Sequence, residues 1–165
     1  MFAKPLLGAL VVTGVLALSA CVDSQQIAEQ EYERLSESGY QTIDVNFVEH
    51  IDQVLSEGQQ VDRRDISTLN QEIQTLVATP AADNVQACRV VGYGSKPCGG
   101  PSSWLIYSSQ TTDDTLLLPL VERYNRLTEQ FNQQQGLMSD CAVLEPVQAQ
   151  LINGVCVAGS RHLSE

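Results

Sequence analysis

Four cysteines and one glycine- and proline-rich turn set the tightest limits on what this chain can become. Cys88, Cys98, Cys141 and Cys156 all lie in the second half, and the stretch from Cys88 to Tyr107 reads CRVVGYGSKPCGGPSSWLIY. An even number of cysteines in an exported chain reads as two disulfides, with three possible pairings. Zinc is the competing use. The spacing contains no C-x₂₋₄-C pair, and neither His50 nor His162 lies among the cysteines.

Export is read from the N-terminus. Lys4 supplies a small positive region, and Leu6 to Leu18 form an apolar stretch of the length expected of a secretory signal. The block is short of the ~20 apolar residues that a comfortable membrane span needs. It ends Leu18-Ser19-Ala20-Cys21, which resembles the lipobox of bacterial lipoproteins. The resemblance implies cleavage before Cys21, a diacylglyceryl thioether on its sulfur and an acylated amine. Several acyl chains on one residue anchor firmly, at about 0.8 kcal/mol per buried CH₂. The competing reading is an ordinary signal peptide followed by a chance cysteine. Val22 stands where many lipoproteins retained on the inner membrane carry aspartate. Sorting to the outer membrane, facing the periplasm, is therefore expected.

The whole chain has 9 basic and 20 acidic residues, a net charge of −11. Loss of residues 1–20 removes Lys4 and no acid, leaving −12. A surface of that sign repels nucleic acid and anionic headgroups, so nucleic-acid binding is excluded.

Residues 22–42 carry a thin apolar stripe (Ala28, Tyr32, Leu35) among glutamates and read as a tether or a weak helix. Residues 44–57 predict a firmer helix, with Asp44 as cap, Phe47, Ile51, Val54 and Leu55 on one face, and Gly58 at the stop. A polar link, 58–64, precedes a second helix with Asp65 as the expected cap. Ile66, Leu69, Ile73, Leu76 and Val77 form its stripe, and Pro80 closes it. The two predict an αα-hairpin too small to stand alone, so it should pack on the cysteine region. Asp62 and Asp65 lack the arrangement of a calcium loop, with Arg63 and Arg64 where ligands would be needed.

The period then changes. Val85 to Tyr93 and Trp104 to Tyr107 predict strands joined by the glycine–proline turn. Thr111-Thr112-Asp113-Asp114 offers N-caps for a long helix carrying Leu117, Leu120, Val121, Tyr124, Leu127 and Phe131, with Pro119 in its opening turns and Gly136 beyond its end. Cys141 to Leu144 reads as a short extended run. Asn153-Gly154 between β-patterned residues is a strong hairpin signal, because a type I′ turn needs positive φ at both central positions.

The fold class is thus α+β: a small disulfide-stapled antiparallel sheet with one long helix, plus an N-terminal helical region. The expected segments are 1–20 signal peptide, 21–42 tether or weak helix, 43–80 helical hairpin, 85–158 disulfide-stapled domain and 159–165 tail. Residues 86–158 also resemble an uncharacterised group of exported bacterial proteins. The resemblance rests on Cys88, Lys96 to Pro101, Tyr107-Ser108, Thr112-Asp113, Tyr124-Asn125, Ser139-Asp140-Cys141 and Asn153 to Cys156. It implies the domain boundary and the disulfides but brings no activity. The favoured pairing is Cys88–Cys156, joining first and last strands, with Cys98–Cys141 tying the turn to the helix exit. The local pairing, Cys88–Cys98 with Cys141–Cys156, competes with it.

No constellation predicts catalysis. Oxidised cysteines offer no thiolate, His50 sits on a helix and His162 in the tail, and acidic pairs arise from composition alone. No phosphate-cradling glycine motif is present. The sequence therefore predicts no cofactor and no metal site. The candidate recognition surface is the loop of Lys96, Pro97, Gly99, Gly100 and Pro101 with Trp104 and Tyr107, where prolines and a disulfide limit the entropy lost on binding. The expected function is a non-catalytic, lipid-anchored envelope protein whose 96–107 loop binds a protein or cell-wall partner. The alternatives are a periplasmic hydrolase using acidic residues and a purely structural envelope component.

Overall fold

The computed structural model describes residues 43–159. The expectations for the signal peptide, Cys21, the tether and His162 lie outside the described residues. Within them the order is helix α1 (Val45–Glu57), helix α2 (Arg63–Val77), strand β1 (Cys88–Tyr93), strand β2 (Ser103–Ser108), helix α3 (Asp114–Gln134), strand β3 (Ala149–Ile152) and strand β4 (Val155–Ala158).

Helix ends are set by local side chains. The Asp44 carboxylate accepts from the N–H groups of Asn46 (3.0 Å) and Phe47 (3.3 Å), so it caps α1. Gly58, at φ 63°, adopts the left-handed conformation that stops it. Helix α2 begins earlier than expected. Asp62, not Asp65, is its cap, accepting from Arg64 N at 2.8 Å. Asp65 falls inside the first turn and faces His50 of α1 at 3.5 Å. Asp113 caps α3 through Thr115 N, at 2.8 Å, and the helix runs unbroken through Pro119.

Two further expectations need correcting. Residues 85–87 form a 3₁₀ turn because the Asn84 side chain accepts from Ala87 N, so the first strand begins only at Cys88. Cys141 to Leu144 is not a strand: Asp140 and Ser139 side chains accept from the backbone N–H groups of Ala142 and Cys141 and fold it into irregular turns.

The sheet comes in two pieces. β1 pairs antiparallel with β2, Val91 opposite Leu105 and Gly92 opposite Trp104. β3 pairs antiparallel with β4 across Asn153-Gly154, at φ 52° and 76°, the expected tight hairpin turn. The two faces of the β1–β2 hairpin have different neighbours. Val91, Tyr93, Leu105 and Tyr107 join the main core with Ile51 and Val54 of α1, Leu69, Ile73 and Val77 of α2, and Leu117, Leu120, Val121 and Leu127 of α3. Cys88 and Ile106 turn the other way and join Ala82, Ala87, Leu151 and Cys156 in a second, smaller cluster. The hairpin is thus a middle layer between helices and the β3–β4 hairpin.

The helical stretch and the stapled stretch share one core. α1 and α2 both pack on α3. Arg123 of α3 binds Asp52 of α1 through its Nε and one Nη, each at 2.7 Å. The Gln130 and Gln134 amides of α3 donate to Gln59 O, and Gln134 Oε1 accepts from Val61 N, which satisfies the backbone of the α1–α2 link.

Both disulfides of the favoured pairing are present, Cys88–Cys156 and Cys98–Cys141, each with Cα atoms 5.4 Å apart. On the chain-entropy argument, closing loops of 68 and 43 residues would contribute about 4 kcal/mol each if formed alone.

Tyr107 and Tyr93 lie in the core, 3% and 7% exposed. Burial, with the Asp114 carboxylate beside it, pushes the Tyr107 phenol up to about 12 from 10.0. Tyr93 donates to Asn70 Oδ1 at 2.8 Å, and burial raises it as well. A raised phenol favours the neutral form in the native state. Its contribution to stability is complete below pH 10.0 and is lost as pH rises toward about 12. Urea midpoints should therefore fall across that window, and Tyr107→Phe should flatten the fall. A midpoint independent of pH there would contradict the burial of both phenols.

Candidate functional site

The turn between β1 and β2 spans residues 94–102 and does not stand free. Gly94, at φ 69°, opens it; a Cβ there would push Ser102 Oγ aside from its bond to Tyr93 O, and the left-handed backbone favours glycine. Lys96 N donates to Gly100 O (2.9 Å) and Gly99 N to Lys96 O (2.8 Å), which closes the turn on itself.

Two asparagines of α3 hold it against the helix. Asn125 Nδ2 donates to Gly92 O at 3.1 Å, while its Oδ1 accepts from Gly94 N at 2.6 Å. One side-chain amide thus meets the outer edge of β1 as the N–H and C=O of one residue in a parallel neighbouring strand would. Seven residues on, Asn132 Nδ2 donates to Ser95 O at 2.8 Å.

Beside these clamps a groove of about 470 Å³ runs between the turn and α3. Its strand wall is rich in glycine, formed by Gly92, Gly94, Gly99 and Gly100 with Val91, Ser95 and Pro101. The helix supplies Leu118 and Val121 as apolar surface and Glu122, Arg126 and Glu129 as charges. Leu118 is 40% exposed, large for an aliphatic side chain.

The seven residues of the expected recognition loop divide four ways. Gly99, Gly100 and Pro101 line the groove, and Pro97 is exposed outside it. Lys96 and Trp104 serve the irregular segment 135–148 instead: Lys96 Nζ donates to Ala142 O at 2.6 Å, and Trp104 Nε1 donates to Glu145 O at 2.9 Å. Lys96 is therefore not an isolated cation. The Trp104 ring is half-buried over Gly92, where an added Cβ would meet its Cζ3 at 3.7 Å. Tyr107 belongs to the core and is removed from the recognition surface, because strand alternation turns it toward the helices with Leu105.

With Cys98–Cys141, the Lys96 and Trp104 bonds make three ties that strap 135–148 across the turn. The strap displays Leu137, Met138 (94% exposed) and Val143 (87%). The Ala142 N–H, then the Ser139 hydroxyl and the Lys96 charge, hold the Asp140 carboxyl below its usual range.

The groove arrangement can bind but offers no nucleophile with a base. His50 is exposed and faces Asp65 on the other helices. Among the described residues no three His, Cys, Asp or Glu side chains group as metal ligands, and no helix is long and apolar enough to cross a membrane. Sequence reasoning alone misses the helix side of the site. Asn125 and Asn132, seven residues apart beside the apolar stripe of α3, are the signal that the stripe's edge is occupied.

No family model, curated protein or solved structure matches the chain.

Removing the amide clamp should loosen the turn. Asn125→Ala leaves Gly92 O and Gly94 N unpaired and should destabilise by about 1–3 kcal/mol. The Gly94 amide should then exchange with solvent much faster, whereas Asn125→Asp, which keeps only the acceptor, should fall between the two. Unchanged exchange at Gly94 in Asn125→Ala would refute the clamp.

Proposed function

We propose that this is a non-catalytic, lipid-anchored envelope protein that binds a protein or cell-wall partner through its glycine–proline turn. Acyl chains on Cys21 hold it to the outer membrane, facing the periplasm. The exported group it resembles through Lys96 to Pro101 and its cysteines fits that address. The binding surface of this reading is the groove between the turn and α3, not the whole 96–107 loop.

The observation that carries the reading is the groove of about 470 Å³, kept open by fixed parts. Two asparagine clamps and the Cys98–Cys141 bridge hold one wall, and a helix rooted in the core holds the other. A site already in its bound shape loses little entropy when a ligand arrives. Its exposed Leu118 and exposed charges are suited to contact and not to chemistry.

The experiment places a photo-crosslinking amino acid at Leu118, on the groove, and at Val85, an exposed apolar position elsewhere. Illumination of intact cells should give a defined adduct from position 118 alone, on a protein or on cell-wall material. Adducts that are absent, or the same from both positions, would refute the reading. In parallel, Cys21→Ala should move the protein from the membrane pellet to the soluble fraction. A protein that still sediments with membranes would refute the lipid anchor.

A further inference from the structure

The charges in the groove have an order that can be read as a ligand. Glu122, Arg126 and Glu129 all line it. At the helical rise of 1.5 Å per residue they are about 6 Å and about 4.5 Å apart along the axis of α3. None of the three makes an ion pair within 4.0 Å among the described residues, whereas the neighbouring Arg123 is bound to Asp52 on the side of α1. The helix wall therefore offers minus, plus, minus to whatever lies along it.

The opposite wall suits an extended chain. Gly99 and Gly100 have nothing within 4 Å of where a Cβ would stand, so another backbone can come close to that part of it. Among the described residues β1 pairs only with β2, and the Asn125 amide occupies a strand's place at its outer edge. Side chains on one face of an extended peptide recur about every 6.6 Å, close to the step from Glu122 to Arg126 and about 2 Å longer than that from Arg126 to Glu129. Val91 and Leu118 provide apolar surface on which aliphatic lysine stems can lie. The volume is within the range of sites that take small ligands, about 300–1,000 Å³.

We propose that the groove binds an extended segment of a partner protein in which a carboxylate lies between two basic side chains. This rests on the reading of the groove as the binding surface. The two basic groups face Glu122 and Glu129, and the carboxylate faces Arg126. The strong negative charge of the chain draws basic partners in general. The alternation along α3 then selects for the order of charges and not merely their sum.

The test separates order from sum. A labelled, end-capped peptide Ala-Lys-Ala-Glu-Ala-Lys-Ala is titrated against the protein by fluorescence anisotropy at low salt. It is compared with Ala-Lys-Ala-Lys-Ala-Glu-Ala, which has the same net charge, and with the charge-reversed Ala-Glu-Ala-Lys-Ala-Glu-Ala. The first should bind about fivefold more tightly than the second, as expected of a few exposed ion pairs. The preference should fade as salt rises. Arg126→Gln should remove the preference between the two basic peptides. The triple change Glu122→Lys, Arg126→Glu, Glu129→Lys should transfer it to the reversed peptide. All three positions lie on the groove, and near-ultraviolet dichroism checks that each variant is folded.

Equal affinity for the two basic peptides, or a triple variant that keeps the original preference, would overturn the proposal. Failure of every peptide to bind, or binding of a purified cell-wall fragment in their place, would overturn it too. Crosslinking from position 118 to a partner that lacks this charge order would leave the groove as the binding surface and remove only the charge code.

Discussion

A two-stranded hairpin with apolar side chains on both faces must be covered twice, and most of this structure follows from that. β1 and β2 point Val91, Tyr93, Leu105 and Tyr107 one way and Cys88 and Ile106 the other. An isolated hairpin is at best marginal in water. α3, backed by α1 and α2, covers the first face. The β3–β4 hairpin is too short to bury much surface, so its cover of the second face is made covalent by Cys88–Cys156. The residues between α2 and the 3₁₀ turn close the remaining edge, with Ala82 N bonded to Gly154 O and Cys156 N to Pro80 O. Side chains deliver the large core and chain entropy secures the small one.

The groove is a by-product of the same economy of strands. With only two strands in the middle layer, the outer edge of β1 faces α3, which has amides and charges to give but no backbone donors. Asn125 answers for one peptide group and Asn132 ties the turn. The remaining polar surface lies open along Glu122, Arg126 and Glu129. An uncovered strand edge invites pairing with other chains. Here the amide clamp, the glycine turn and the flanking charges restrict which chains could use it.

Much of this is legible in the sequence, for identifiable reasons. The helices are visible because Ile51, Val54, Leu69, Ile73, Leu117, Leu120 and Leu127 keep the helical period, and Asn153-Gly154 announces its own turn. The start of α2 is ambiguous because Asp62 and Asp65 are both good caps, and only the surrounding geometry decides between them. The extended run expected at Cys141 fails because Ser139 and Asp140 bond the local backbone before a ladder can form. For Trp104 and Tyr107 the sequence reveals the aromatic character but not the contacts that occupy each ring. Strand alternation sends Tyr107 to the core, and the Trp104 indole N–H finds Glu145 O, a partner 41 residues away. Long-range polar pairings of that kind leave no periodic trace. The charged wall of the groove is hidden in the same way, among glutamates and arginines that look like any solvated helix face.

The two bridges are nested, the 98–141 loop lying wholly inside the 88–156 loop. A single break in the backbone anywhere between Cys88 and Cys156 therefore leaves one covalent molecule. Between Cys98 and Cys141 it leaves the two pieces doubly joined. Among the described residues, the large apolar side chain most open to solvent, Met138, falls in that doubly joined interval. A nick there would change the chain's termini without releasing a fragment. The turn, the strap and the helix that flank the groove would remain parts of a single object.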